Sequence, residues 1–146
     1  MNEGTPASRT GFSSLPLQMM LYFSNHFTPL FFILNILLYT YKATQYFFPG
    51  RLLGWELTTV FMFLLIDGTR LILASKGNKT STIPPLVSSL VLAMPMIVLH
   101  AYYISLQTYI LRIDIVLNSI ALVLLGSETI LSVMVFLNIY LASRKY

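Results

Sequence analysis

IVLNSIALVLLGSETILSVMVFLNIYLAS, residues 115–143, is a long apolar run with a single charged residue, Glu128, near its middle. Crossing a bilayer takes about 20 apolar residues in one helix, so this stretch reads as a transmembrane helix. A lone carboxylate at that depth costs roughly 2.5 kcal/mol or more on insertion scales. It must be protonated, hydrogen-bonded inside protein, or used. The charges nearest in kind, Asp67 and Arg70, stand together in an earlier apolar run.

Three more runs have membrane-crossing length. The four spans are read as roughly 17–41, 52–74, 84–107 and 115–142, with a polar tail at 1–16 and a short tail at 143–146. The composition agrees: 56% of the 146 residues are hydrophobic and 10% charged, and mean hydropathy is +0.75. Soluble domains carry about 25% charged residues. The expected fold is therefore all-α, a polytopic membrane protein built as an antiparallel four-helix transmembrane bundle. Residues 1–16 lack a charged segment followed by a short apolar one and a small-residue cleavage site, so the first span is expected to act as signal anchor. The chain has no cysteine, which excludes disulfides, thiolate metal ligands and thiol nucleophiles. The basic residues are scattered around the spans rather than clustered, which argues against nucleic acid.

Lys and Arg in short loops set orientation. Arg9, Lys76, Lys79, Arg144 and Lys145 fall on one side, with Arg70 just inside the membrane, against Lys42, Arg51 and Arg112 on the other. This bias places both termini in the cytosol. Asn78-Lys79-Thr80 is a glycosylation sequon, expected to stay bare in that orientation.

Ser14 followed by Pro16 reads as a helix start. Pro29 and Pro95 each remove a backbone hydrogen bond inside a span, predicting kinks. Tyr39, Tyr41, Tyr46, Phe47, Phe48 and Trp55 crowd the first loop and Tyr102, Tyr103 and Tyr109 the third, which reads as an aromatic belt. Residues 75–83, rich in Gly, Asn, Lys and Thr, are expected to form the second loop, and a very short third loop lies around Arg112. Short loops imply up-down-up-down connectivity. Gly50 and Gly54 fit G-x-x-x-G, at the membrane boundary rather than in a packed interface. Ser89 and Ala93 form a small-residue pair of the same spacing.

Asp67 and Arg70, three apart, share a helix face and can pair. They read as a structural ion pair, with Arg70 snorkelling toward the headgroups. Ser127 and Ser132 lie near Glu128 on the helix, and Asn118 adds a polar group on another part of it. Hydrogen bonds to Asn or Ser of the first span would suffice to hold Glu128. His26 and His100 have no helical ligand spacing with the carboxylates, so no metal and no cofactor is expected. No nucleotide-binding, nucleophile-elbow or zinc-hydrolase motif is present, and the chain does not read as an enzyme.

The residues also resemble a known family. Leu15-Pro16-Leu17-Gln18-Met19 with Leu21-Tyr22-Phe23, then Asp67-x-x-Arg70-Leu71 leading into Lys76-Gly77-Asn78, then Leu106-Gln107-Thr108-Tyr109-Ile110-Leu111-Arg112-Ile113-Asp114 followed by Asn118 and Gly126-Ser127-Glu128, come in order and at matching spacing. The chain resembles the small four-span proteins of the ciliary transition zone, the family containing transmembrane proteins 17, 80 and 216. That family typically has Glu where Asp67 stands. The resemblance implies a non-enzymatic subunit of the tectonic-like transition-zone complex, a membrane diffusion barrier at the cilium base. Its partners would be other membrane subunits and the lipid bilayer, with no small-molecule substrate and no catalytic residue to carry over. The competing reading is a small transporter or channel using Glu128, Asp67 and Arg70.

Overall fold

The computed structural model describes residues 13–47 and 49–145. Phe48 of the expected belt, Arg9 and most of the polar tail lie outside them. Four helices follow one another: α1 (Leu15–Gln45), α2 (Gly50–Thr80), α3 (Ile83–Ser105) and α4 (Arg112–Ser143). Each is long and apolar enough to cross a membrane. Consecutive helices pack antiparallel, α4 returns against α1, and α2 and α4 meet across the shorter diagonal. The chain is an all-α four-span bundle.

Ser14 caps α1 by accepting from the Leu17 N–H at 3.5 Å, with Pro16 in the first turn. Both α1 and α3 run on through Pro29 and Pro95.

The expected second loop is a correction. Helix α2 continues through Gly77 and Asn78 to Thr80, and only Ser81 and Thr82 separate it from α3. Ser81 turns the chain with a left-handed φ of 50°, and the Thr82 N–H donates to Gly77 O at 3.1 Å. Gly and Asn are weak helix formers, by up to about 1 kcal/mol each, but tertiary contacts override that. The Asn78 amide accepts from Ser14 N–H at 2.8 Å and donates to Ser14 O at 2.9 Å, tying α2 to the start of α1. Gly77 faces the first turn of α3. A Cβ there would lie 2.9 Å from Leu86 N.

Gly77→Ala is therefore expected to push α3 off α2, costing about 1–3 kcal/mol as overpacking does. Gly126→Ala, with nothing within 4 Å of the added carbon, is the matched control. Melting of the two detergent-purified variants checks this: an unshifted Gly77→Ala would contradict the close approach. Gly50 and Gly54 likewise have open space around them.

The buried positions of α4 are Asp114, Asn118, Ala121, Leu125, Glu128, Ser132, Val135 and Ile139. Their spacing alternates four and three, a seven-residue repeat. The buried stripes of the other three helices largely follow the same spacing. That is the seam of helices packed as in left-handed bundles. Apolar layers alternate with polar ones along it. Leu17, Leu21, Leu71, Ala74, Leu86, Val135 and Ile139 pack at the end where α1 begins. Phe31, Phe63, Ala93, Met96, Ala121 and Leu125 fill the middle, and Tyr39, Val60 and Tyr103 the far end. Tyr39 and Tyr103 are thus core residues, 2% and 1% exposed, and not members of an aromatic belt. Tyr41, Phe47 and Trp55 do face outward.

Candidate functional site

Between the first two apolar layers sits a polar cluster built from three helices. Asp67 and Arg70 are one turn apart on α2. The Arg70 Nε and Nη2 donate to Asp67 Oδ1 at 2.9 and 2.8 Å. The guanidinium then reaches across the diagonal, and its Nη1 lies 2.8 Å from Glu128 Oε2 on α4. From α1, the Thr28 hydroxyl donates to Asp67 Oδ2 at 2.5 Å, and the Ser24 hydroxyl donates to Glu128 Oε1. All five residues are buried. One planar fork holds two carboxylates, a geometry that an ammonium on a flexible stem cannot reproduce. Two carboxylates on one guanidinium leave a formal negative charge over.

The expected Asp67–Arg70 pair is present, but its surroundings differ from the sequence reading. Arg70 does not snorkel: it is 5% exposed and points into the bundle, because the second carboxylate lies across the diagonal. Glu128 is held by a serine of α1, as expected, and also by Arg70, which the sequence reading did not pair with it. Its expected neighbour Ser127 instead donates back to Val123 O at 2.9 Å. Asn118, placed by sequence on another part of α4, lies on the same buried stripe as Glu128. An undertwisted seam of 3.5 residues per turn brings onto one face positions that an ideal helix would separate.

Asn118 serves a separate contact. Its Oδ1 is 2.9 Å from His100 Nδ1 on α3, and its amide donates to Asp114 O at 2.9 Å. The His100 ring packs edge-on against Phe31 and Phe63. His26 instead faces outward from α1. The structure therefore does not bring the two histidines together. A cavity of about 20 Å³, lined in part by Thr28, Asp67, Arg70 and His100, adjoins the cluster. It has room for roughly one water.

The far end holds a second polar cluster that sequence reading did not anticipate. Lys42 Nζ lies 2.7 Å from Asp114 Oδ2, with both side chains almost fully buried. Asp114 Oδ2 also accepts the Leu111 N–H at 2.9 Å, fixing the start of α4. Glu56, fully buried on α2, accepts from the Thr108 N–H at 3.0 Å and from the Thr108 hydroxyl at 2.6 Å. Gln107 donates to the Tyr39 hydroxyl, and the Tyr103 hydroxyl donates to Thr59 at 2.8 Å. The α3–α4 connection is thereby bound to α1 and α2. One signal for these residues was in the sequence: Thr28, Asn35 and Lys42 follow at intervals of seven, Asp114 stands fourteen before Glu128, and Glu56 fourteen before Arg70.

Comparison with known proteins gives one family and several relatives. A family described as predicted membrane protein, Transmemb_17, matches residues 19–125, a range that includes Asp67, Arg70 and Asn118 but not Glu128. Transmembrane protein 216 of Bos taurus is 32% identical over 122 residues, covering 84% of this chain and 86% of that protein. Transmembrane protein 216 of Homo sapiens is 31% identical, covering 84% of each. Transmembrane protein 17 of Rattus norvegicus is 35% identical over 89 residues, 58% of this chain and 44% of its own length. No solved structure matches the chain.

Proposed function

Because this chain belongs to the Transmemb_17 family of membrane proteins, we propose that it is a non-enzymatic membrane subunit of the tectonic-like complex at the ciliary transition zone. It supports cilium assembly and the membrane diffusion barrier by packing laterally against other membrane subunits. The observation that carries this reading is how the intramembrane charges are spent. Asp67, Arg70 and Glu128 are consumed in joining α1, α2 and α4. A transporter needs a hydrated path between its carboxylates, and a cavity of about 20 Å³ beside Asp67 supplies none. The described residues offer partners little beyond helix faces and short connections.

Glu128→Gln separates the readings. The amide still accepts from Ser24, and its loss of charge leaves Asp67 balanced by Arg70. A tagged Glu128→Gln chain in ciliated cells is expected to reach the cilium base and to co-purify tectonic-type subunits as the unaltered chain does. Normal assembly with loss of a pH-dependent flux in reconstituted vesicles would favour transport instead. Failure of the unaltered chain to concentrate at the cilium base would overturn the ciliary reading.

Both termini are proposed to be cytosolic. Lys42 and Arg70 are buried in ion pairs, so neither counts toward the loop charge. The remaining bias is five, Arg9, Lys76, Lys79, Arg144 and Lys145, against two, Arg51 and Arg112. A bare Asn78 no longer tests this, because its amide is buried and bonded to Ser14. A sequon inserted in the α1–α2 connection is expected to be glycosylated. Its remaining bare, with an N-terminal sequon modified, would reverse the orientation.

A further inference from the structure

The outer face of α1 carries polar groups where hydrocarbon should be. Asn25 and His26 both point away from the bundle. Their depth is set by their neighbour Ser24, whose hydroxyl bonds Glu128, near the midpoint of α4. It is set again by Gln18, whose amide donates to Ser75 at 3.2 Å at the polar end of the bundle. Asn25 follows Gln18 by seven residues, about 10 Å deeper at 1.5 Å per residue. A side chain as short as asparagine cannot reach headgroups from there. Pro29, also outward-facing and inside the helix, has no N–H to give to the Asn25 carbonyl one turn back. His26 spends one ring nitrogen on Tyr22 O at 3.0 Å, which leaves the other directed outward. The same spot thus presents an amide, a carbonyl without its helix donor and an imidazole nitrogen. Lipid tails satisfy none of them.

We propose that this face of α1, centred on Asn25, is a docking surface for a second copy of this chain. Asparagine is self-complementary, because its amide both donates and accepts. Two copies in one membrane have the same orientation. A two-fold axis beside Asn25 therefore sets each amide against its counterpart at the same depth, with His26 and the Asn25 carbonyl alongside. A different partner would have to place a polar group at that depth independently. Asn25 lines a groove of about 500 Å³ between α1 and α2, walled by Leu21, Tyr22, Leu71 and Ile72 at its depth and by Ser75 and Lys76 toward the polar end; its apolar part can take side chains of the facing α1. This inference does not depend on the ciliary reading.

The absence of native cysteine makes the test direct. Tyr22→Cys and Ile33→Cys mark the proposed face, 67% and 55% exposed, and Val98→Cys marks the lipid-facing side of α3, 68% exposed. Each full-length variant is oxidised in native membranes. Disulfide-linked dimer is expected from Tyr22→Cys or Ile33→Cys and not from Val98→Cys. Adding Asn25→Leu should lower the dimer yield about three- to tenfold, the range of an interhelical hydrogen bond in membranes. Equal yields with Asn25 or Leu would overturn the proposal, as would cross-links only to other proteins or none from the α1 face.

Discussion

Arg70→Met is expected to leave little folded protein. Asp67 and Glu128 would remain buried with no counter-ion, keeping only the hydroxyls of Thr28 and Ser24. Removing one partner of a buried ion pair costs about 3–5 kcal/mol, and here one residue serves two carboxylates. Against a typical stability of about 5–15 kcal/mol, this is a large fraction. The yield of monodisperse protein after detergent extraction reports it. The rescue pattern is more specific. A pairing confined to α2 would let Asp67→Asn with Arg70→Met recover the protein. Because Glu128 shares the guanidinium, that double variant should stay poor, and only the triple variant that adds Glu128→Gln should recover. Equal recovery in double and triple would contradict the cross-diagonal contact. Arg70→Lys should fall between, since an ammonium keeps the charge but lacks the planar fork that makes two contacts to Asp67 and one to Glu128.

At the far end, Lys42→Met should cost about as much, again roughly 3–5 kcal/mol for an orphaned buried charge. Asp114 would keep only the Leu111 N–H. The damage should concentrate where α1 meets the start of α4. Hydrogen exchange is expected to speed up around residues 106–118 while the Asp67–Arg70–Glu128 layer stays protected. Lys42→Met with Asp114→Asn should regain most of the stability, because removing a pair costs less than breaking it. The exposed Arg51 and Arg112 provide neutral comparisons: surface substitutions usually stay within about 0.5 kcal/mol. A Lys42→Met variant as stable as Arg51→Met would contradict the ion pair.

Length and hydropathy carried the fold in the sequence itself. Only a helix satisfies its own backbone in hydrocarbon, so four long apolar runs with short connections left few alternatives to an up-and-down bundle. Asp67, Arg70, Asn118 and Glu128 were also legible as special, because a charge or amide inside an apolar run is conspicuous. The Asp67–Arg70 pair and a serine of the first span for Glu128 were legible too, but the Arg70–Glu128 contact and the His100 partner of Asn118 were not. In a soluble helix the apolar stripe marks the inside; here the outside is equally apolar, and the faces cannot be told apart by hydropathy. What marks the inside is polar residues at multiples of seven, Thr28, Asn35 and Lys42 on α1 and Asp114 and Glu128, fourteen apart, on α4. Lys42, Glu56 and Asp114 stood near span ends, where a charge is cheap and draws no notice. The tertiary structure alone decided that Arg70 turns inward to a carboxylate on α4, that Gly77 and Asn78 stay helical against Leu86 and Ser14, and that Tyr39 and Tyr103 are core. The physical reason is common to all three. The spans were set by each segment's own transfer from water to lipid, whereas these pairings depend on which helix lies beside which, and no single segment contains that information.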